Sequence, residues 1–478
     1  MSEPLKSFIA GQWILPGPVG GVHEAINPAT EEVCAVVALC GPQEAEAAIA
    51  AARSAFDGWA ATPLDQRLAL MEKLIAVFEA RYDEMVTAIS TEMGAPYDLS
   101  FNAQAECGPG HLRATIAAAR LMAWEVDVGA DGRVVHEPIG VCVLITPWNW
   151  PINQIATKVG PALAAGCTMV LKPSELAPLS AQLFAEFVAE AGYPAGVFNM
   201  IHGTGAGIGE TLTSHPEVDM ISFTGSTRAG VQIAKRAADT VKRVSQELGG
   251  KSANVVFADA DLEAAVTRGV LHCFENAGQS CNAPTRMLVE QSVYDDAVAI
   301  AAQVAKGAKQ GDPRAKGPHF GPVVSKPHFD KIQRLIQAGI DEGAQLIAGG
   351  TGRSDGFDRG YYVKPTIFAG VHNAMTIAQE EVFGPVLVMI PFADEIEAIQ
   401  IANDSPYGLA AYVQSGDQDR ALRVARRIRA GGVSINGASQ DYQAPFGGYK
   451  QSGNGREYGE FGLRDFLEVK VINGFYAP

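Results

Sequence analysis

From Val141 onward the chain alternates short apolar runs with helical stretches, and that alternation leaves few folds open. The runs Val141–Ile145, Thr168–Leu171, Val197–Ile201, Met220–Phe223 and Asn254–Phe257 read as strands. Leu179–Gly192 and Gly230–Thr240 between them read as helices. Strands separated by helices of this length form parallel βαβ units, so an open α/β sheet is expected, with binding sites beyond the strands' C-terminal ends. A second alternating stretch runs from about Gly250 to Tyr449. It holds the helices Asp261–Glu275 and Tyr294–Lys309 and a glycine-rich turn region, Gly349 to Gly360. The first 125 residues are expected to be mostly helical, over Pro42–Trp59 and Leu64–Met93, and the tail Phe466–Pro478 to add an edge strand. A chain of 478 residues exceeds what one core organises, so two or three domains are expected.

Composition excludes several partners. The net charge of −16 repels nucleic acid and anionic membranes. No basic region precedes an apolar run at the N-terminus, so no secretory signal is read and a cytoplasmic setting is expected. Ile139 to Thr157 carries no charge, but it contains Pro147, Asn149, Pro151, Asn153 and Gln154, which are costly in lipid. A buried strand running into a turn fits it better. The seven cysteines are scattered and form no CxxC, so neither a disulfide framework nor a metal site is expected.

Cys281 stands apart from the other six. It lies in FENAGQSCNAPTR, a polar, Gly/Asn/Ser-rich loop after a helix, where a thiolate would be accessible and polarised. ITPWNWP (145–151) ends a strand with Asn149, whose amide could face a developing oxyanion. LKPSE (171–175) puts Lys172 and Glu175 over the sheet edge, where a nucleotide would bind. SFTGSTRAG (222–230) passes through Gly225 and Ser226 into a helix, an anion site built of backbone N–H groups. HGTGAGIGE (202–210) is an imperfect GxGxxG and carries little weight alone. ELGGKS (247–252) places Glu247 at a strand end, where burial would raise its pKa toward that of a general base. EEVFGPV (380–386) sets Glu381 and Phe383 before a rigid Gly-Pro turn.

PWN, KPSE, FTGS, ELGGKS, GQSC, EVFGP and PFGGYKQSGNGRE (445–457) together resemble the aldehyde dehydrogenase superfamily, in its order and over essentially the whole chain. The resemblance implies an α/β protein with a Rossmann-type NAD-binding domain (1–119 and 140–249), an α/β catalytic domain (250–449) and a small β oligomerisation arm (120–139 and 464–478). It implies Cys281 as nucleophile, Asn149 with the Cys281 backbone N–H as oxyanion hole, and Glu247 as base. NAD contacts would come from Ile145, Thr146, Pro147, Trp148, Lys172, Ser174, Glu175, Gly205, Phe223, Gly225, Ser226, Leu248, Glu381 and Phe383. Glu175 favours NAD over NADP, because a carboxylate at the ribose diol repels a 2′-phosphate.

The same resemblance lines an aldehyde tunnel with Trp150, Gln154, Thr157, Ser280, Asn282, the Ser439–Tyr442 stretch with Tyr442, and Phe446. No arginine stands among them to grip a carboxylate, and the aromatic rings suit an aromatic or medium-chain aldehyde. A homodimer or homotetramer is expected, with VVHEPIG and FLEVKVING crossing to a neighbour. A CoA-acylating dehydrogenase usually lacks the Glu of ELGGKS, so Glu247 argues against it. Ester hydrolysis at the same cysteine and a catalytically silent, binding relative are the remaining alternatives.

Overall fold

The computed structural model describes residues 3–474. The alternating stretch after Val141 builds a seven-stranded sheet in the order Arg243–Glu247, Met220–Thr224, Val141–Ile145, Thr168–Lys172, Phe198–Met200, Ser7–Ile9, Gln12–Ile14. The first five strands are parallel. Val141, Cys142, Val143 and Leu144 are all fully buried, which is why this central strand reads as an unbroken apolar run rather than an alternating one. From it the chain crosses to Thr168–Lys172 on one side and later to Met220–Thr224 on the other. That reversal opens a crevice at the C-terminal ends of the central strands.

The first 125 residues are mostly helical, as expected, but they open on strands. Four strands precede the first α-helix: Ser7–Ile9 and Gln12–Ile14 form a hairpin, and Val22–Ile26 pairs with Val33–Ala38. The hairpin turns on Ala10 (φ +51°) and Gly11 (φ +76°), two left-handed residues without the Asn-Gly signature that usually marks such a turn. Ser7–Ile9 then extends the first sheet, meeting Phe198–Met200 antiparallel. The expected helix 64–93 is two helices, Leu64–Ala80 and Tyr82–Met93. Arg81 interrupts them at φ −116°, its guanidinium gathering Glu84, Glu186 and Glu190 within 2.6–2.8 Å.

The second seven-stranded sheet runs Gln345–Ala348, Thr366–Ala369, Val386–Phe392, Arg286–Glu290, Ala253–Val256, Ala410–Gln414, Gly432–Ile435. Its edge strand Gln345–Ala348 is antiparallel and the rest are parallel. Val255, Leu288, Val388 and Val413, each without exposed surface, centre its core. Leu467–Asn473 does become an edge strand: it pairs along its whole length with Gly132–Pro138, which also pairs with Glu125–Val128. Residues 475–478 of the expected tail lie outside the described residues. Among the described residues no helix is long and apolar enough to cross a membrane. The uncharged stretch 139–157 is the strand Val141–Ile145, a turn, and the start of the helix Pro151–Ala165.

Candidate active site

The helix Leu262–Phe274 ends in a tight turn, Glu275–Gly278, and Cys281 follows on the loop. Asn276, Ala277 and Gly278 take φ of +53°, +54° and +73°, a left-handed path that is strained for residues with a Cβ. Hydrogen bonds hold it. The Asn276 amide donates to the carbonyls of Asn149 (2.9 Å) and Gln279 (3.2 Å), and Gln104 Nε2 donates to Asn276 Oδ1 (3.0 Å). Gln279, fully buried, donates to the Asn276 carbonyl at 2.9 Å and accepts the Val324 N–H at 2.9 Å. At Gly278 a Cβ would sit 2.1 Å from the Gly384 backbone, so any side chain there would lift the loop.

Asn149 joins this network directly. Its Nδ2 donates to the Gln279 carbonyl at 3.0 Å, fixing the amide plane and leaving the second amide hydrogen for another acceptor. Loop 146–150 of the first sheet is thereby tied to the Cys281 loop. Gln104, Asn276 and Gln279 escaped the sequence reading, since a neutral amide in a polar loop carries no distinctive pattern.

Cys281 is half-buried. Burial first, then the carboxylates of Glu381, Glu247 and Glu457, push its thiol well above the usual range. Burial and three acidic groups therefore oppose its ionisation, which the polar loop alone did not indicate.

Glu247 ends its strand 3% exposed, with no hydrogen-bond partner for either carboxylate oxygen among the described residues. Burial raises its pKa well above the carboxylate range and Glu457 raises it further, against Lys158 and Arg456. Lys158 and Glu457 form an ion pair at 1% and 5% exposure. A backbone bridge between Glu247 and Gly453 brings this distant C-terminal segment alongside. Gly447 (φ +152°) faces Glu247, and a Cβ there would lie 2.6 Å from Glu247 Oε1. The pocket holding the base is therefore closed by PFGGYKQSGNGRE, a role its glycines alone did not reveal.

At the crevice of the first sheet the hydroxyls of Thr146 and Thr224 are buried without partners among the described residues. They sit just beyond or at the ends of the strands Val141–Ile145 and Met220–Thr224, with Ile145, Pro147, Trp148 and Phe223 around them in sequence. Lys172 Nζ lies 3.3 Å from Glu175 Oε2, and Ser174 Oγ accepts the Leu176 N–H at 3.2 Å. Gly205 opens the helix Gly205–Ser214, while Ser226 caps Thr227–Ala237 by accepting the Ala229 N–H. The Phe223 ring lies against Gly225, and Leu248 packs on Gly230 of the capped helix.

On the facing side Glu381 Oε1 accepts the Gly250 N–H at 2.8 Å. Phe383 is held at φ +60° by His328, whose Nε2 donates to the Phe383 carbonyl at 2.7 Å. Trp148, His328 and Phe383 form a ring cluster with centroids 5.4–5.9 Å apart. Two orphaned hydroxyls, a helix N-terminus and an ammonium–carboxylate pair at a topological switch suit the diphosphate and ribose of a dinucleotide.

Two of the expected tunnel residues flank Cys281 in the loop, and the others make contacts of their own. Trp150 Nε1 donates to Ser280 Oγ at 2.8 Å, and the Thr157 hydroxyl donates to the Gln154 carbonyl at 3.3 Å. The Asn282 carbonyl accepts the Tyr412 hydroxyl at 2.9 Å. Tyr442 and Phe446 are half-buried, and they bring with them His111, Asn153 and Tyr458. A groove of 1610 Å³ runs beside Asn276 and reaches Ser439.

The aldehyde dehydrogenase family model matches residues 17–472. A 3-succinoylsemialdehyde-pyridine dehydrogenase of a Pseudomonas species is 53% identical over 478 residues, covering 99% of each chain. An aldehyde dehydrogenase structure from Bartonella henselae superposes with a TM-score of 0.97 at 50% identity, covering 99% of this chain and 100% of that one. A cysteine-to-alanine mutant of aldehyde dehydrogenase C from Pseudomonas syringae, complexed with NAD+ and octanal, gives 0.97 at 47% identity, covering 99% and 97%. With the family model spanning nearly the whole chain and both sheets superposing on solved members, this protein belongs to the aldehyde dehydrogenase family.

Proposed function

We propose that the chain oxidises an aldehyde to its carboxylic acid with NAD, through a covalent intermediate on Cys281. The tie between Asn149 and the Cys281 loop through Gln279 carries this reading, because it supports nucleophile and oxyanion donor in one rigid network. The Cys281 thiol gives up its proton to water, with Glu247 assisting, and Sγ attacks the aldehyde carbon as the carbonyl electrons move onto oxygen. The second amide hydrogen of Asn149 and the Cys281 backbone N–H stabilise that oxyanion. Bound NAD supplies the hydride acceptor as the thiohemiacetal collapses. Cys281 then carries a thioester. Glu247 deprotonates a water that attacks it, the C–S bond breaks, and the acid leaves.

The dinucleotide would rest along Ile145 to Trp148, with Ser226 and Gly225 at its diphosphate and Lys172, Ser174 and Glu175 at its adenosine ribose. Gly205, Phe223 and Leu248 would flank it, and Glu381 and Phe383 would face the nicotinamide half. Glu175 would accept both ribose hydroxyls and repel a 2′-phosphate, so NAD is preferred over NADP. Equal kcat/KM for the two cofactors contradicts this. Glu247→Gln should give a pre-steady-state NADH burst without steady turnover. Sustained turnover in that variant removes Glu247 as the base.

The substrate is an uncharged aldehyde with an aromatic or medium-length apolar body. Trp150, Tyr442 and Phe446 would pack it, and Gln154, Thr157, Ser280 and Asn282 add polar groups without a cation. The pyridine semialdehyde in one relative's name and the octanal in another's structure both fit such a body. A screen of NADH formation over short, aromatic, medium-chain and carboxylated aldehydes tests it. Faster oxidation of carboxylated aldehydes would contradict it.

The chain works in the cytoplasm as a homodimer or homotetramer. Val469 and Val471 are 66% and 54% exposed on one face of the arm's edge strand, an apolar strip that a second copy would cover. Light scattering on the purified chain tests the assembly.

A further inference from the structure

His111, Asn153 and Tyr458 form a polar chain among the aromatic rings of the tunnel, and none of them enters the chemistry above. His111 and Asn153 are 2% and 8% exposed, while Tyr458 is half-buried. The Tyr458 ring stacks on Phe446 at 5.1 Å and touches His111 at 4.2 Å, and His111 meets the Tyr442 edge at 4.6 Å. Tyr458 is held at φ +73°, a strained conformation for a tyrosine that persists only where its surroundings impose it. Those surroundings are the paired backbones of Phe446 and Glu457, joined by hydrogen bonds of 3.0 and 2.7 Å. Adjacent residues thus divide the work: Glu457 pairs with Lys158 near the base, and Tyr458 turns to the tunnel rings.

The direction of the hydrogen bonds follows from the donors. Burial holds the His111 pKa down at about 4, so the ring is neutral at working pH. Its Nε2 lies 2.7 Å from Asn153 Oδ1, an acceptor, so Nε2 carries the ring hydrogen and donates. The Asn153 amide nitrogen is then left to face Tyr458, whose phenol burial keeps protonated while the Asn153 side chain acts in the opposite sense. Tyr458 keeps its own hydrogen to donate.

We propose that Tyr458, oriented by Asn153 and His111, is a specificity residue that donates a hydrogen bond to a second acceptor on the aldehyde, such as a ketone oxygen or ring nitrogen. This rests on the functional reading above and narrows its substrate class. An apolar aldehyde would leave that hydroxyl unpaired in an aromatic box, which is where a lost polar contact discriminates most.

The test compares kcat/KM for a 4-oxo aldehyde and the unsubstituted alkanal of equal length, by NADH formation. The wild-type protein should favour the oxo aldehyde, and Tyr458→Phe, which keeps the ring stack, should cut that preference about tenfold. His111→Gln, still a donor to Asn153, should retain the preference, and His111→Leu should lose it. An unchanged preference in Tyr458→Phe, or an equal fall for both aldehydes, overturns the proposal. So does a selective loss on a hydroxyl-bearing aldehyde, which would mean that the chain of donors runs the other way. If the wild-type protein oxidises no aldehyde, the functional reading itself fails and takes this one with it.

Discussion

Gly447→Ala should damage catalysis although Gly447 makes no chemical contribution of its own. The added Cβ would lie 2.6 Å from Glu247 Oε1 and 2.5 Å from the Gly455 carbonyl, at a φ of +152°. Ordinary contact begins near 3.4 Å, so the carboxylate or the backbone must yield by about 0.8 Å (3.4 − 2.6). The Gly455 carbonyl is backbone and yields little, so much of the shift falls on Glu247. A misplacement of about 1 Å in a reacting group costs roughly 100-fold in rate, and the backbone strain adds about 1–3 kcal/mol of destabilisation. Glu247 activates the hydrolytic water, so the loss should appear in deacylation. Stopped-flow NADH fluorescence should show a burst followed by a steady rate about 100-fold below wild type, with a modest drop in Tm. A steady rate within about twofold of wild type, in a variant that still folds, would refute the assigned place of Glu247.

Three other perturbations follow from the same geometry. Lys158→Met leaves Glu457 buried and unpaired, so urea unfolding should show about 3–5 kcal/mol lost, whereas Lys158→Met with Glu457→Gln should recover most of it. Equal losses in both variants would contradict the pairing. Asn149→Ala should lower kcat by about 100- to 1000-fold with little change in NAD affinity, measured by fluorescence titration. Glu92, fully buried, caps the helix Pro178–Ala191 through the N–H groups of Leu179 and Ser180, and burial pushes its pKa from 4.5 up to about 7. Its folded form holds the proton more tightly, so its contribution is complete below about pH 4.5 and is lost as pH rises through about 7, about 3 kcal/mol in all. Chemical denaturation at pH 5 and pH 8 should show a smaller pH dependence in Glu92→Gln than in wild type.

The central strands and the groups at their ends were legible because both follow local rules. Val141–Ile145 is buried on both faces, so its run is wholly apolar, and Asn149, Lys172 and Glu247 lie at or shortly beyond strand ends. The first hairpin was not, because Ala10 and Gly11 turn it without a characteristic signature. Lys158 and Glu457 are 299 residues apart, and no local pattern predicts a pair made by docking a late loop against an early helix. Tyr458 was hidden for the same reason. The rise in the Cys281 pKa could not be read from its loop, since Glu381, Glu247 and Glu457 act on it from three separate segments. What the chain does was written in short motifs, whereas the electrostatics that tune it arise from long-range packing.

The central claim is that Cys281 carries the acyl group. Glu247→Gln mixed with NAD and aldehyde, quenched in acid and digested, should yield one acylated peptide, spanning Cys281, by mass spectrometry. The added mass should equal the acyl group and disappear on treatment with hydroxylamine. An unmodified Cys281 peptide after a full NADH burst, or the acyl group on another of the seven cysteines, would contradict the account.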